Sequence, residues 1–366
     1  MSDSETIKIP ILRQLVLSGA RPLVAVVLAL LAGAGLIWFR GANPITAYVA
    51  LLQGAIGSVA GLTNTGVRAT PLLIGGLGVA VAFKAGLFNV GTEGHMYVGG
   101  AAAAVVGLVP LPVPSWLHVL LALVAGSAAG ALWGVLPAYL RAYRNVNEFV
   151  TTVMLNEVAL LLVSYLVHYT ALAAPGATFP MSPPLLASAR LPILVKGTSL
   201  HAGIILGLVL AGAVHLLLQY TAFGFRTRLV GGNPEAARYA GVDTAKQIIV
   251  VFLISSALGG VAGACEVMGL KLRLYNLFVS GVGYEAIAVA LVANSNPLAV
   301  VLSSFFFGAL KAGANRMQIV SGCEASLATV IQALAVMFTI AIGIGERLSL
   351  SHRKVSKEPR KHEAPV

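Results

Sequence analysis

Between Pro22 and Phe39 there is no charged side chain, and apolar runs recur at 70–86, 89–109, 117–138, 150–171, 201–219, 245–268, 282–294, 297–314 and 326–345. About 20 residues at a rise of 1.5 Å cross a hydrocarbon core of roughly 30 Å. In lipid each backbone N–H and C=O must be satisfied internally, and a helix does this alone. The pattern therefore predicts an all-α polytopic bundle of about ten spans. The run 282–294 reaches only about 20 Å. It is read as a half-helix or as a span that continues irregularly.

Composition excludes the soluble alternatives. The 366 residues are 58% hydrophobic and 10% charged, against about a quarter charged in soluble domains. A net charge of +11 would suit a nucleic-acid partner only if it formed a basic stripe. Here the 24 basic residues are scattered, so no nucleic acid is expected. Forty glycines suit close helix packing in lipid. The two cysteines, Cys265 and Cys323, are too few for a disulfide framework or a metal site, and read as small apolar residues.

Basic residues orient the spans. With the N-terminus inside and strict alternation, 16 of the 24 fall inside, among them Lys84, Arg141, Arg228, Arg238, Lys246 and the basic residues after Glu346. Arg40, Arg68, Arg190, Lys196, Lys271, Arg273, Lys311 and Arg316 fall outside. Both termini are then cytoplasmic, which needs an even number of spans. The organisation predicted is a cytoplasmic segment 1–21, a transmembrane domain 22–346 and a disordered basic tail 347–366. Arg40 follows the first run with no cleavage site, so this run reads as a retained helix rather than a signal peptide. Two loops interrupt the pattern. The outer one, Ala173–Ser199, is stiffened by Pro175, Pro180, Pro183, Pro184 and Pro192. The inner one, 219–244, is the longest polar stretch between spans.

Enzyme signatures are missing from the sequence. It contains no G-x-x-x-x-G-K-S/T, no His-Glu-x-x-His and no G-x-S-x-G. Glu93 and His95 are two apart, on different faces of a helix, so no metal or other cofactor is expected. His118, His168, His201 and His215 lie near predicted span ends and read as interfacial imidazoles. Glu157 and Glu266 read as structural.

Within the inner loop, Gly232-Asn233-Pro234-Glu235-Ala236-Ala237-Arg238-Tyr239-Ala240-Gly241 has the grammar of one complete short helix. Asn233 is the N-cap and Pro234 takes the first helical position. Glu235 complements the positive end, Gly241 supplies the left-handed stop, and Asp243 caps the next span. Such a helix is either a surface turn or a rigid plug for a groove on a cytoplasmic partner.

Two glycine-broken stretches carry acids inside apolar runs: Phe88-Asn89-Val90-Gly91-Thr92-Glu93-Gly94 and Ser280-Gly281-Val282-Gly283-Tyr284-Glu285-Ala286. Intramembrane carboxylates are costly and point to function. In this topology the two stretches open spans of opposite direction, so they occupy matching places in two inverted halves. Such breaks mark a transport path, with Asn89, Glu93 and Glu285 as its candidate residues. The alternative is that both glutamates bind neighbouring helices together.

These stretches resemble a known family. Phe88–Met96 is similar to F-N-I/V-G-x-E-G-Q-M, with His95 in place of Gln. Asn147-Glu148-Phe149-Val150-Thr151-Thr152-Val153-Met154-Leu155-Asn156 resembles N-E-V/F-I/V-x-T-L/V-M-L-N. Gly232–Val242 and Gly283–Leu291 are similar to two further motifs, the first being the coupling-helix stretch. The family is the membrane-spanning permease of ATP-binding-cassette importers, in the branch for simple sugars, nucleosides and branched-chain amino acids. The outer loop around Phe179–Leu185 and the stretch Phe307–Asn315 look most like the nucleoside permeases.

The resemblance implies nucleoside import across a bacterial inner membrane, driven by a separate ATPase subunit that docks on Gly232–Gly241. It also implies a second permease subunit, usually a different one, and an extracytoplasmic binding protein, with membrane lipid around the bundle. Alternatives are a ribose-like sugar permease of the same family and a proton-coupled secondary transporter using Glu93 and Glu285.

Overall fold

The computed structural model describes residues 11–355. Its helices are α1 Ile11–Phe39, α2 Pro44–Ile56, α3 Val59–Lys84, α4 Thr92–Leu108, α5 Ser115–Trp133, α6 Val135–Arg144, α7 Glu148–Tyr169, α8 Gly203–Tyr220, α9 Ala222–Gly232, α10 Pro234–Tyr239, α11 Thr244–Cys265, α12 Val282–Val292, α13 Pro297–Ser321 and α14 Ser326–Val355. A π-helical segment, Glu266–Lys271, extends α11, and Ala187–Ala189 forms one 3-10 turn. Among the described residues the only β pairing is two isolated bridges, Met181 with Tyr275 and Ile193 with His201. The polytopic helical bundle predicted from the apolar runs is therefore the observed fold.

Among the described residues, seven stretches are long and apolar enough to cross a membrane: α3, α5 with α6, α7, α8, α11 with its π extension, α13 and α14 as far as Ile344. Leu23–Phe39 of α1 and α2, bent 120° apart, form an eighth candidate. The remaining apolar helices, α4 with 17 residues and α12 with 11, are shorter. Helix α2 had no counterpart among the predicted runs. Its start is nonetheless ordinary: Asn43 accepts a hydrogen bond from the Ile45 N–H, and Pro44 takes the first position. The run 70–86 is the second part of α3, which begins at Val59 with Ser58 as its N-cap, accepting from the Gly61 N–H at 3.0 Å, and whose threonine hydroxyls bond to the backbone. Thr63 donates to Val59 O at 2.8 Å and Thr65 to Ala55 O at 2.8 Å. Helix α14 continues to Val355, where a disordered tail was predicted; no glycine or proline interrupts it after Gly345. The rest of the tail, and the start of the N-terminal segment, lie outside the described residues.

The core forms where small residues let backbones meet. Gly260 of α11 lies against the backbone of Gly99 in α4 and of Gly126 and Gly130 in α5, with no room for a Cβ atom. Close approach of this kind compensates for the lack of a hydrophobic drive between helices in lipid. Around it pack Leu72, Leu77, Met96, Tyr97, Phe252 and Phe307, all buried. Cys265 and Cys323 are buried free thiols, as their reading required.

Two ends of the bundle are distinct. One gathers the loop Ala173–Ser199, the C-terminus of α4 and the segment 268–274. Leu186 N–H donates to Gly107 O at 3.1 Å, Leu191 N–H to Met268 O at 3.1 Å and Ser182 N–H to Leu274 O at 2.7 Å. His118 sits here fully buried, within 2.9 Å of Ser188 Oγ and 3.0 Å of Val106 O. His201 is buried too, against Gly269. Both imidazoles are therefore packing and hydrogen-bonding groups, not interfacial ones. The opposite end gathers α9, α10, Lys84, Arg141 and Glu148. Gly260→Leu should lower stability by about 3 kcal/mol, the upper range for overpacking, read as a lower unfolding midpoint in detergent. An unchanged midpoint would mean that the three helices do not cross there.

Candidate functional site

The chain leaves helix after Lys84 and re-enters it at Thr92. Thr92 and Met96 lie against Gly75, more than two turns before the end of α3, about 14 Å along the helix axis. The segment Ala85–Gly91 therefore climbs irregularly into the bundle. Irregular backbone at membrane depth needs partners from protein, and named side chains supply them. Phe88 N–H donates to Glu148 Oε1 at 3.2 Å. Gly91 N–H donates to Asn89 Oδ1 and Gly94 N–H to Asn156 Oδ1, both at 2.9 Å. The Asn156 amide nitrogen donates to Val90 O at 3.0 Å and to Tyr284 Oη at 3.2 Å. Asn89 Nδ2 donates to Ser255 Oγ of α11 at 2.9 Å. Asn89, Asn156 and Ser255 are all buried.

The second break is built by the first. After the π segment the chain is irregular until α12 begins at Val282, with Gly281 at φ 82°. Glu93 Oε1 accepts from the Gly281 N–H at 2.6 Å and Oε2 from the Gly283 N–H at 2.7 Å. A carboxylate at this position satisfies orphan amides and complements the positive helix end. Gly283 packs on the Glu93 backbone so closely that any side chain there would collide. The two stretches singled out in the sequence thus touch, joined through one carboxylate.

Beside this joint runs a band of charge. Glu285 Oε2 of α12 lies 2.6 Å from Lys311 Nζ of α13, with the side chains 21% and 26% exposed. Glu266 pairs with Lys271 at 3.7 Å, and the Lys311 and Arg68 charges act on the same Glu266 carboxylate. On α12, α3 and α13, Tyr284, Asn64 and Asn315 are exposed. Arg68 and Lys311, placed outside by the charge count, are instead interior residues of α3 and α13. Helix α3 begins 11 residues before the run 70–86, and α13 continues seven residues beyond the run 297–314, so both cations fall within helix. Partly exposed charges at such a depth face water or protein, not lipid.

At the opposite end, helix α10 is built as its sequence grammar predicted. Asn233 Oδ1 accepts from Glu235 N–H at 3.0 Å and Ala236 N–H at 3.1 Å. Gly241 has φ 79°, and Asp243 caps α11 through the Lys246 N–H at 3.0 Å. Within Gly232–Gly241 Ala237 is buried, whereas Gly232, Asn233, Pro234, Glu235, Ala236, Arg238, Tyr239 and Ala240 are exposed. Tyr239 is 94% exposed. The helix stands on α9, which the polar loop had concealed. Gln247 of α11 donates to Thr227 Oγ1 at 2.7 Å, Arg228 donates to Leu218 O, and Gly231 lies on Lys84 O. Nearby, Arg141 and Glu148 pair at 3.1 Å.

Of the residues nominated from sequence, Asn89, Glu93 and Glu285 come together at the two breaks, and Gly232–Gly241 lies at one end of the bundle. Asn156, Tyr284, Lys311 and Arg68 were not nominated. Asn156 was readable: it closes the stretch Asn147–Asn156, a polar amide inside an apolar run.

Residues 61–342 match the family described as the permease component of the branched-chain amino acid transport system. The chain belongs to this family. It is 36% identical over 321 residues to the guanosine ABC transporter permease NupP of Bacillus subtilis, covering 87% of this chain and 91% of that one. The glucose ABC transporter permease TsgB13 of Haloferax volcanii is 33% identical over 356 residues, covering 94% and 92%. The nucleoside ABC transporter permease NupB of Lactococcus lactis is 29% identical over 336 residues, covering 88% and 90%. No solved structure matches. The protein is a multi-pass membrane permease of an ABC transport family.

Asn156→Leu removes the partners of Gly94 N–H and Val90 O. At about 1–3 kcal/mol for each buried group left unpaired, it should lower stability more than Asn156→Gln, read as the unfolding midpoint in detergent. Equal midpoints for the two variants would contradict the role assigned to this amide.

Proposed function

We propose that this permease imports nucleosides across a bacterial inner membrane as one half of a permease pair, driven by a separate ATPase. The observation that carries the coupling is α10. It is a rigidly capped helix of six residues that exposes Glu235, Arg238 and Tyr239 on a foot clamped to α3 and α11. An exposed aromatic on a fixed helix is what a partner's pocket holds best. ATP-driven closure of the ATPase pair would push this helix, and α9 would pass the push to Lys84 and so to the first break. The chain itself needs no bond-making chemistry.

Lys84, Arg141, Arg144, Arg226, Arg228, Arg238 and Lys246 belong to the α10 end of the bundle, which supports that end, and both termini, as cytoplasmic. The loop Ala173–Ser199 is then external and receives cargo from an extracytoplasmic binding protein. The cargo path passes the joint that Asn89 and Glu93 hold from within and follows Glu285, which stays partly exposed, and the polar band beside it. NupP and NupB support a nucleoside cargo; TsgB13 supports a sugar as the second reading. A proton relay through Glu93 and Glu285 fits poorly, because both carboxylates are engaged, one by amides and the other by Lys311.

Three outcomes test this reading. An impermeant thiol reagent added outside should label Lys196→Cys and spare Arg228→Cys; the reverse pattern overturns the orientation. The double variant Pro234→Gly, Glu235→Gly should lose uptake and ATPase association while inserting normally, and normal uptake would return α10 to a plain surface helix. The complete transporter in vesicles should take up labelled adenosine or uridine, with excess ribose competing poorly; efficient ribose competition would move the cargo to the sugars.

A further inference from the structure

We propose that Glu285, held in place by Lys311, accepts the ribose hydroxyls of the cargo and makes the permease prefer ribonucleosides to 2′-deoxyribonucleosides. This rests on the nucleoside reading above and adds the group that reads the sugar.

Four observations carry it. Glu285 and Lys311 lie on different helices and meet at 2.6 Å, yet each side chain stays about a quarter exposed. A carboxylate paired on one oxygen keeps its charge and retains acceptor sites on the other. Second, the helices of the pair and α3 expose polar side chains: Asn64 and, in part, Arg68 on α3, Tyr284 on α12 and Asn315 on α13. Asn64 and Arg68, like Lys311 and Asn315, are four residues apart and share a helix face. Third, charge in the band nearly cancels, with Arg68, Lys271 and Lys311 against Glu266 and Glu285. Such a balance suits an uncharged polar cargo. Fourth, the neighbouring carboxylates are taken: Glu93 by the Gly281 and Gly283 amides, and Glu266, whose side chain is 8% exposed, by Lys271, which leaves Glu285 as the acceptor able to turn to a ligand.

The chemistry then selects a diol. An ionised carboxylate is acceptor-only, and a vicinal diol presents two adjacent O–H donors. Among the bases guanine alone presents two adjacent N–H donors, whereas every ribonucleoside carries the diol. Without the 2′-hydroxyl, one carboxylate site loses its partner, and a site built to hydrogen-bond a hydroxyl discriminates against the analogue that lacks it. Lys311 acts as a positioning residue, fixing the carboxylate and its charge.

The test uses the complete transporter in vesicles with its own binding protein, and compares uptake of labelled adenosine and 2′-deoxyadenosine. Because the binding protein is common to all samples, a change in the ratio between variants reports the permease. The wild type should favour adenosine, and Glu285→Gln should reduce that preference about tenfold, the worth of a hydrogen bond to a charged group. Lys311→Met, which leaves the carboxylate but frees it, should reduce the preference as well, whereas Lys311→Arg should keep most of it. A preference unchanged within about twofold in both Glu285→Gln and Lys311→Met, at measurable uptake, overturns the proposal. Equal wild-type uptake of the two nucleosides overturns it too, while leaving the nucleoside reading intact. A wild type that takes up neither contradicts the nucleoside reading itself, and this proposal with it.

Discussion

The carboxylate of Glu93, accepting from the amides of Gly281 and Gly283, is the contact on which the interior of this permease depends. A helix that starts inside a bilayer has orphan N–H groups and no water to receive them. Helix α12 is such a helix. Its start lies against the Glu93 backbone, and its Ala286 against Gly75 in the interior of α3, so this start is inside the bundle. The group that satisfies it comes from the first turn of α4, which also starts in the interior. Each break is therefore held by the other, and neither half of the bundle is complete alone.

The same requirement explains the remaining polar residues near the breaks. Asn89, Asn156 and Glu148 each close a gap left where Ala85–Gly91 abandons helical bonding. They tie it to α7 and α11, and Asn156 reaches across to Tyr284 beside Glu93's own partner. The outcome is a rigid joint with a polar flank, in which Glu93 is engaged and Glu285 stays partly open to its surroundings. The two alternatives read from sequence, path residue and interhelix glue, thus attach differently to the two glutamates: the geometry of Glu93 is that of a cap, and that of Glu285 leaves room for a ligand.

Much of this was legible in the residues. Apolar runs gave the helical bundle, because lipid permits little else. Capping grammar gave α10 almost to the residue, because Asn233, Pro234 and Gly241 each have one physical use there. The same grammar at Asn43-Pro44 would have found α2, which apolar-run reading passed over, and at Asn296-Pro297 it marks the start of α13. What stayed hidden was hidden by polarity. Helix α9 is too polar to register as an apolar run, and the first turns of α3 were lost to Asn64 and Arg68. Lys311 was counted as an outer-side cation because nothing local reveals a carboxylate on another helix. That Glu93 meets Gly281, 188 residues away, no single stretch of sequence could state, although the glycine-broken acids at both places pointed to something shared.

The meeting of the two breaks is tested most directly by amide hydrogen exchange of the permease in lipid nanodiscs, followed in the peptide covering Gly281–Tyr284. The amides of Gly281 and Gly283 should be protected in the wild type and should exchange at least about tenfold faster in Glu93→Ala, as expected for loss of their acceptor. Rapid exchange in the wild type, or protection that survives loss of the Glu93 carboxylate, would contradict the account.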